Sequence, residues 1–250
     1  LLGSYPMIKY SFQEVSFFVR EAKGKRIPEP ALGNGEQTVD ELPGYGKLNQ
    51  PTPIASEGWN QVSNSRPAME DFTAEDWTLL SQQKKDFYVD HQVEQVLNML
   101  RSQENVGSFG YQINNYQHCL QSATMAMRDG CDEELVVCTL LHDVGFLTCP
   151  DNHGEFAATL LANYVSGKNY WLLKHHQFFL DAHAPKHPNL NTEELEKFRT
   201  HPCSEFTAEW VQRYDQNSIQ STYDTAPLEV FVPMVKRVFS RPPRGRILNS

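Results

Sequence analysis

The stretch "LVVCTLLHDVGF", residues 135–146, decides how the chain is read. A run this apolar reads as a buried helix, yet it carries a histidine and an aspartate side by side near its end. In a helix, Leu135, Cys138, Thr139 and His142 fall at i, i+3, i+4 and i+7, so His142 shares an inward face with apolar side chains. Asp143 follows about 100° further round and reaches the same buried point. An ionised carboxylate buried there is costly unless it is paired or bound to a metal. Taken alone, a His-Asp dipeptide is more often a polar end to a buried helix than a site. Its weight depends on partners elsewhere in the chain.

Partners are present. "NYQHCLQSATMAMRDG" places His118 on a helix with Ser122 and Met125 on its face, and "NHGEFAATLLANYV" places His153 at the start of another. "LLKHHQFFLDAH" offers His175, His176 and His183, and "EWVQRYDQNS" ends a helix with Asp215. Imidazole and carboxylate together suit iron, manganese or zinc, and a carboxylate can bridge two ions. Each has a plainer reading: His118 as a satisfied core histidine, His153 as an N-cap neighbour, Asp215 as a helix-end turn residue. Jointly they point to a metal site.

Around these segments the pattern is helical. "TAEDWTLLSQQKKDFYVDHQVEQVLNMLRS" opens on Thr73 as an N-cap, with Asp76 near the positive end of the helix dipole. After the loop "QENVGSFG" a helix is expected through about Asp129, with Gly130 in the left-handed position beyond it. The next is expected over 132–144, closed by Gly145 in the same way. Further helices are expected at about 153–166, 168–181, 192–199, 203–214 and 227–240. Nothing after residue 73 reads clearly as a strand, so the expected fold is all-α, a helical bundle over residues 71–250. Residues 1–70 are expected to form an extension, with an irregular Pro-, Gly-, Asn- and Ser-rich arm over 28–68. The opening "LLGSYP" reads as a cloning remnant outside the fold.

Composition narrows the function classes. The chain has 250 residues, is 40% hydrophobic and 21% charged, and carries a formal net charge of -9. No Lys/Arg block is long enough to track phosphates, which argues against a nucleic-acid surface while leaving room for a local anion pocket. No apolar run approaches a membrane span. The five cysteines form no C-x-x-C pair, which favours reduced thiols in the cytoplasm and argues against a cysteine zinc site.

The order H…HD…H…H…D on successive helices resembles the HD-domain metalloprotein superfamily. More narrowly, "QHCLQSATMAMRDG…VVCTLLHDVG…NHGEFAATLL…LKHHQFF…RYD", within residues 105–216, resembles its mixed-valent diiron oxygenases. That group includes inositol oxygenases and oxygenases that cleave hydroxylated phosphonates. The resemblance implies an HD-domain helical bundle with two iron ions (Fe2+/Fe3+) and O2 as co-substrate. It implies one metal held by His118, His142, Asp143 and Asp215, and a second held by His153 and His176. Asp143 would bridge the two, with His142 and Asp143 at the catalytic centre. His176 matches the family's histidine better than His175, which would then be a second-layer or helix-surface residue. The implied substrate is a small hydroxylated polar molecule: a hydroxy-phosphonate, a polyol or a quaternary-amine-like compound.

Departures from the family bear on that substrate. Phosphonate-cleaving members carry a lysine where this chain has Leu180, an acidic amine-selecting residue where it has Tyr111, and in some cases a histidine at Phe146. "KFRTHPCSEF" stands near their Gln-Gly-Gly-Pro-Met segment. Candidate substrate contacts are Tyr111, His183 and Arg213. Their plainer readings are a packing aromatic, a surface histidine, and a helix cap or carboxylate partner. His91 and His187 read as solvated, and His201 as a helix-entry residue or a pocket wall. Two other readings remain at this stage. One is an HD phosphohydrolase using Mn2+ or Mg2+ to drive water against a phosphate ester. The other is a noncatalytic protein with a polar core.

Overall fold

Four of the helices start on a polar side chain that catches an otherwise unbonded backbone N–H. In the computed structural model, which describes residues 59–244 apart from 64, 67 and 188–192, Thr73 opens α1 (Ala74–Arg101). Its hydroxyl accepts from the Asp76 N–H at 3.2 Å while the Asp76 carboxylate accepts from the Thr73 N–H at 2.8 Å. Asn114 opens α2 (Asn115–Arg128) with the same reciprocal pattern through Gln117. Asp132 caps α3 (Glu133–Leu141) and Ser166 caps α5 (Gly167–Asp181). The remaining helices are α4 (His153–Leu161), the short α6 (Glu193–Glu196), α7 (Ser204–Arg213) and α8 (Leu228–Phe239). The described residues contain no strand, and the all-α expectation holds for them. The expected arm, up to residue 58, lies outside the described residues. From Val62 onward the chain forms one compact unit.

α3 is the axis of the bundle. Val136, Val137, Cys138, Leu140 and Leu141 are all buried, on every side of the helix, as expected of a core helix. α2, α5 and α8 pack around it, α4 pairs with α5, and α7 also packs on α5. On its outer rim, Arg237 of α8 binds Glu133 and Arg241 binds Glu134. No helix among the described residues is long and apolar enough to cross a membrane.

Four boundaries differ from expectation, one of them that of α6, which ends at Glu196 where a helix to about 199 is expected. The regular part of α3 stops at Leu141, and His142 and Asp143 lie on the tight turns that follow, with Val144 N–H bonding to Leu141 O and Phe146 N–H to Asp143 O. α4 stops at Leu161 instead of continuing to 166; residues 162–164 form a turn, and Ser166 is extended where it caps α5. Gly130 is left-handed as expected (φ 75°), but Gly145 is not. Its lack of a side chain answers a packing need: a Cβ there would lie 2.9 Å from the Phe156 ring.

Gly154 has a similar role closer to His176, one of the expected ligands. A Cβ on it would sit 2.7 Å from the Leu173 carbonyl and 3.2 Å from the His176 ring, so α4 can approach α5 this closely only without one. Gly154→Ala is expected to cost about 1–3 kcal/mol of stability by overpacking and to weaken metal retention by displacing His176. Urea unfolding beside metal analysis checks this; a variant as stable and as metal-rich as the parent would refute the packing account.

Candidate metal centre

Each of the six expected ligands arrives from a different turn of the bundle except His142 and Asp143, which share one. α2 supplies His118, the end of α3 supplies His142 and Asp143, and the first residue of α4 is His153. α5 supplies His176, and the 3-10 turn after α7 supplies Asp215. All are buried except His118, which is partly accessible.

Backbone carbonyls orient every imidazole. The Nδ1 atoms of His118, His142, His153 and His176 lie 2.9, 2.8, 2.7 and 2.8 Å from the carbonyls of Ser218, Thr139, Pro150 and Leu173. Only an N–H satisfies a carbonyl, so each neutral ring carries its proton on Nδ1 and presents a bare lone pair at Nε2. Those lone pairs converge. The Nε2 atoms of His118 and His142 are 3.0 Å apart, and those of His153 and His176 are 3.2 Å apart. Asp215 Oδ1 stands 3.3 Å from His118 Nε2 and 3.6 Å from His142 Nε2.

Asp143 joins the two groups. Its Oδ1 lies 3.1 Å from His153, 3.3 Å from His176 and 3.6 Å from His142, while Oδ2 faces His118 at 3.7 Å. Without a cation, neutral rings here would set acceptor against acceptor. The alternative is to take up protons, and the electrostatics favour that. Burial disfavours a charged His118, but the hydrogen bond to Asp215 and the charges of Asp215 and Asp143 outweigh it and raise its pKa to about 9. His142 and His153 are raised against burial in the same way. Burial alone would push Asp143 up; the charge of His142 and the hydrogen bonds from His153 and His176 instead hold it well below the usual carboxylate range. Asp215 is depressed too, against burial, by His118 and His142. Asp215 Oδ2 is buried with no hydrogen-bond partner. Oriented imidazole lone pairs, carboxylates and an orphaned oxygen fit a hard or borderline metal ion. Three triads fall within metal-binding reach: His118, His142 and Asp143; His142, His176 and Asp215; and Asp143, His153 and His176.

The choice between adjacent histidines is also visible. His176 is in the cluster, whereas His175 is half-buried among Trp171, Phe178 and Phe198, and burial lowers its pKa to about 4. It is therefore neither a cluster member nor a bare helix-surface residue. His201 stacks flat on Trp171 at 4.3 Å, and His91 is exposed on α1 against Phe87.

A cavity of about 470 Å³ opens onto the cluster, with His118, Asp143 and Asp215 in its wall. Tyr111, 64% exposed, and His183 line its mouth. Arg213 does not line it: it is exposed on α7 and paired with Asp129 at 3.1 Å and Glu209 at 3.0 Å, the carboxylate-partner reading of this residue. Phe146 lines the cavity beside Asp143, making this side less polar, and His187 lies in the rim.

Supporting residues come from places the spacing of polar residues does not mark. Asn115 Nδ2 donates to the Asp143 carbonyl at 3.1 Å and to Gln103 Oε1 at 2.6 Å, while Gln103 Nε2 donates to the Val144 carbonyl. Trp210 stands edge-on to both His142 and His176, with its indole N–H held by the Thr139 hydroxyl at 2.9 Å. An indole within "EWVQRYD" is visible in the sequence; that it lies between the two histidines is not.

No protein-family model matches the chain, and no curated protein matches it.

Two measurements follow. His176→Ala should lose about half of the bound metal, and His175→Ala should keep it; the reverse outcome would exchange their roles. His118 holds a proton below about pH 9 in the metal-free chain, and a metal ion must displace it. Metal uptake near neutral pH should therefore release protons, and affinity should rise with pH towards that value. Calorimetry in buffers of different ionisation enthalpy reads this directly; uptake without proton release would contradict it.

Proposed function

We propose that the chain is a non-haem diiron oxygenase of the HD-domain type, which uses O2 to oxidise or cleave a small hydroxylated polar substrate. The observation that carries this reading is the shared carboxylate: Asp143 Oδ2 faces His118, while Oδ1 faces His153, His176 and, at 3.6 Å, His142, so one carboxylate reaches both pairs of imidazoles. His118, His142, Asp215 and Asp143 would hold one ion, and His153, His176 and Asp143 the other. When bound, two irons would supply Lewis acidity towards a substrate hydroxyl and electrons for O2 chemistry.

The chain's own residues would do the rest. The set with His153 and His176 has three protein donors against four in the other, which leaves it more open to small ligands. His118, Asp143 and Asp215 face the cavity, so a substrate hydroxyl would approach from that side. Ile113, Phe146 and Leu180 line the approach with apolar surface and limit water around the reacting atoms. The Asn115 amide holds the Asp143 backbone, and Trp210 holds one imidazole of each pair. A phosphohydrolase running on Mn2+ or Mg2+ would use the same ligands. It would also be served by fixed cations for the phosphate, and among the described residues no Lys or Arg lines the cavity.

Anaerobic purification, iron analysis and EPR on partial oxidation test the reading. The expected result is about two irons per chain, a mixed-valent signal, and O2 uptake with a hydroxylated substrate. Phosphate release by the manganese or magnesium form, with no O2 uptake on polyols, hydroxy-phosphonates or hydroxylated amines, would replace it with hydrolysis.

A further inference from the structure

The cavity's charge runs in an unexpected direction. Its floor is the metal cluster, which becomes strongly positive when loaded. Its outer wall carries a carboxylate, Asp181, the last residue of α5. Lys186 lies on the following turn but is not among the lining residues, and His183 and His187 supply imidazoles, not fixed cations. Asp181 is partly buried, and burial raises its pKa against the opposing charge of His187. A carboxylate placed so is only partly compensated and gains from a cationic neighbour.

Aromatic surface faces the same space. Phe109 and Phe146 line the cavity and meet edge to face at 6.3 Å, with Tyr111 beside them. Phe109 is held in the left-handed region (φ 54°) although it is not glycine, and the residue is 70% exposed. A strained backbone that projects an apolar ring into open space makes sense where the ring has a ligand to cover. Aromatic faces beside a carboxylate, with no Lys or Arg among the described residues of the wall, form a setting for an organic cation.

We infer that this cavity takes a hydroxylated ammonium compound, its hydroxyl directed at the metal floor and its ammonium group held at the mouth by Asp181 and the rings of Phe109 and Tyr111. The two ends of such a molecule match the two ends of the field. A phosphonate or phosphate at the mouth would instead meet Asp181, with no lysine or arginine among the described lining residues to offset it. The inference rests on the oxygenase reading for the role of the floor, but recognition at the mouth is measurable without turnover.

The test is calorimetric titration of the metal-loaded full chain with choline, ethanolamine, the neutral carbon isostere of choline, and hydroxyethylphosphonate. At least one ammonium alcohol should bind about 10-fold or more tightly than both the isostere and the phosphonate. Asp181→Asn should reduce that preference to near unity with metal content unchanged, and Asp181→Glu should retain most of it. Tightest binding by the phosphonate, a preference that survives in Asp181→Asn, or no binding of either ammonium alcohol would overturn the inference. O2 uptake is recorded separately. Ammonium binding without O2 uptake by any iron-loaded sample would sink the oxygenase reading and leave the mouth specificity standing. O2 uptake driven by anionic substrates alone would do the opposite.

Discussion

Four imidazole N–H groups are each tied to a backbone carbonyl, and this constraint shapes the rest of the bundle. With Nδ1–H engaged, Nε2 of a neutral ring can only accept, and four such atoms converge around two carboxylates. A hydrophobic interior does not tolerate that arrangement without positive charge. Protons can supply it, as the raised pKa of His118 indicates, but they leave Asp215 Oδ2 without a partner. Metal ions satisfy the same groups with fewer compromises. The carbonyl anchors also explain why rigid elements carry the ligands: a helix end or tight turn places its carbonyls as firmly as its side chains.

α3 shows how that chemistry is supported. A helix buried on every side has no solvent face to give up, so its end can point into the protein. Continuation as a regular α-helix stops there, and His142 and Asp143 follow on tight turns. The backbone polar groups exposed by that change are met by Asn115 and Gln103, which bond to the carbonyls of Asp143 and Val144. The brace joins the ends of α1, α2 and α3 at the point where the shared carboxylate leaves the chain.

Much of this was legible in the sequence, for definable reasons. Helix existence follows from apolar periodicity and caps; Thr73 and Gly130 behave as their residue types predict, while Asp132, expected inside its helix, caps it. The six ligand types lay in order along those helices, and the preference for His176 over His175 agrees with which ring faces the cluster. Gly145 was misread because the same residue type serves two needs: a glycine after an apolar helix looks like a left-handed cap, and only the position of Phe156 reveals a packing requirement. Trp210 and Asn115 were silent because their roles depend on neighbours distant in sequence. Arg213 looked close to Asp215 along the chain, but side chains two residues apart do not share a helix face, and it pairs outward with Glu209 and Asp129.

The dispersal of the ligands has an energetic consequence. His118, His142, His153, His176 and Asp215 come from five separate elements, so an ion held by them cross-links most of the bundle. The unfolded chain offers no such convergence, and free energy of metal binding is therefore also free energy of folding. Ligation of an ion would offset the electrostatic cost of bringing so many buried ionisable groups together. It also ties the cavity to the centre. Asp143 belongs to two of the candidate metal-binding triads and to the cavity wall, so a ligand that alters its environment would act on an ion held at either.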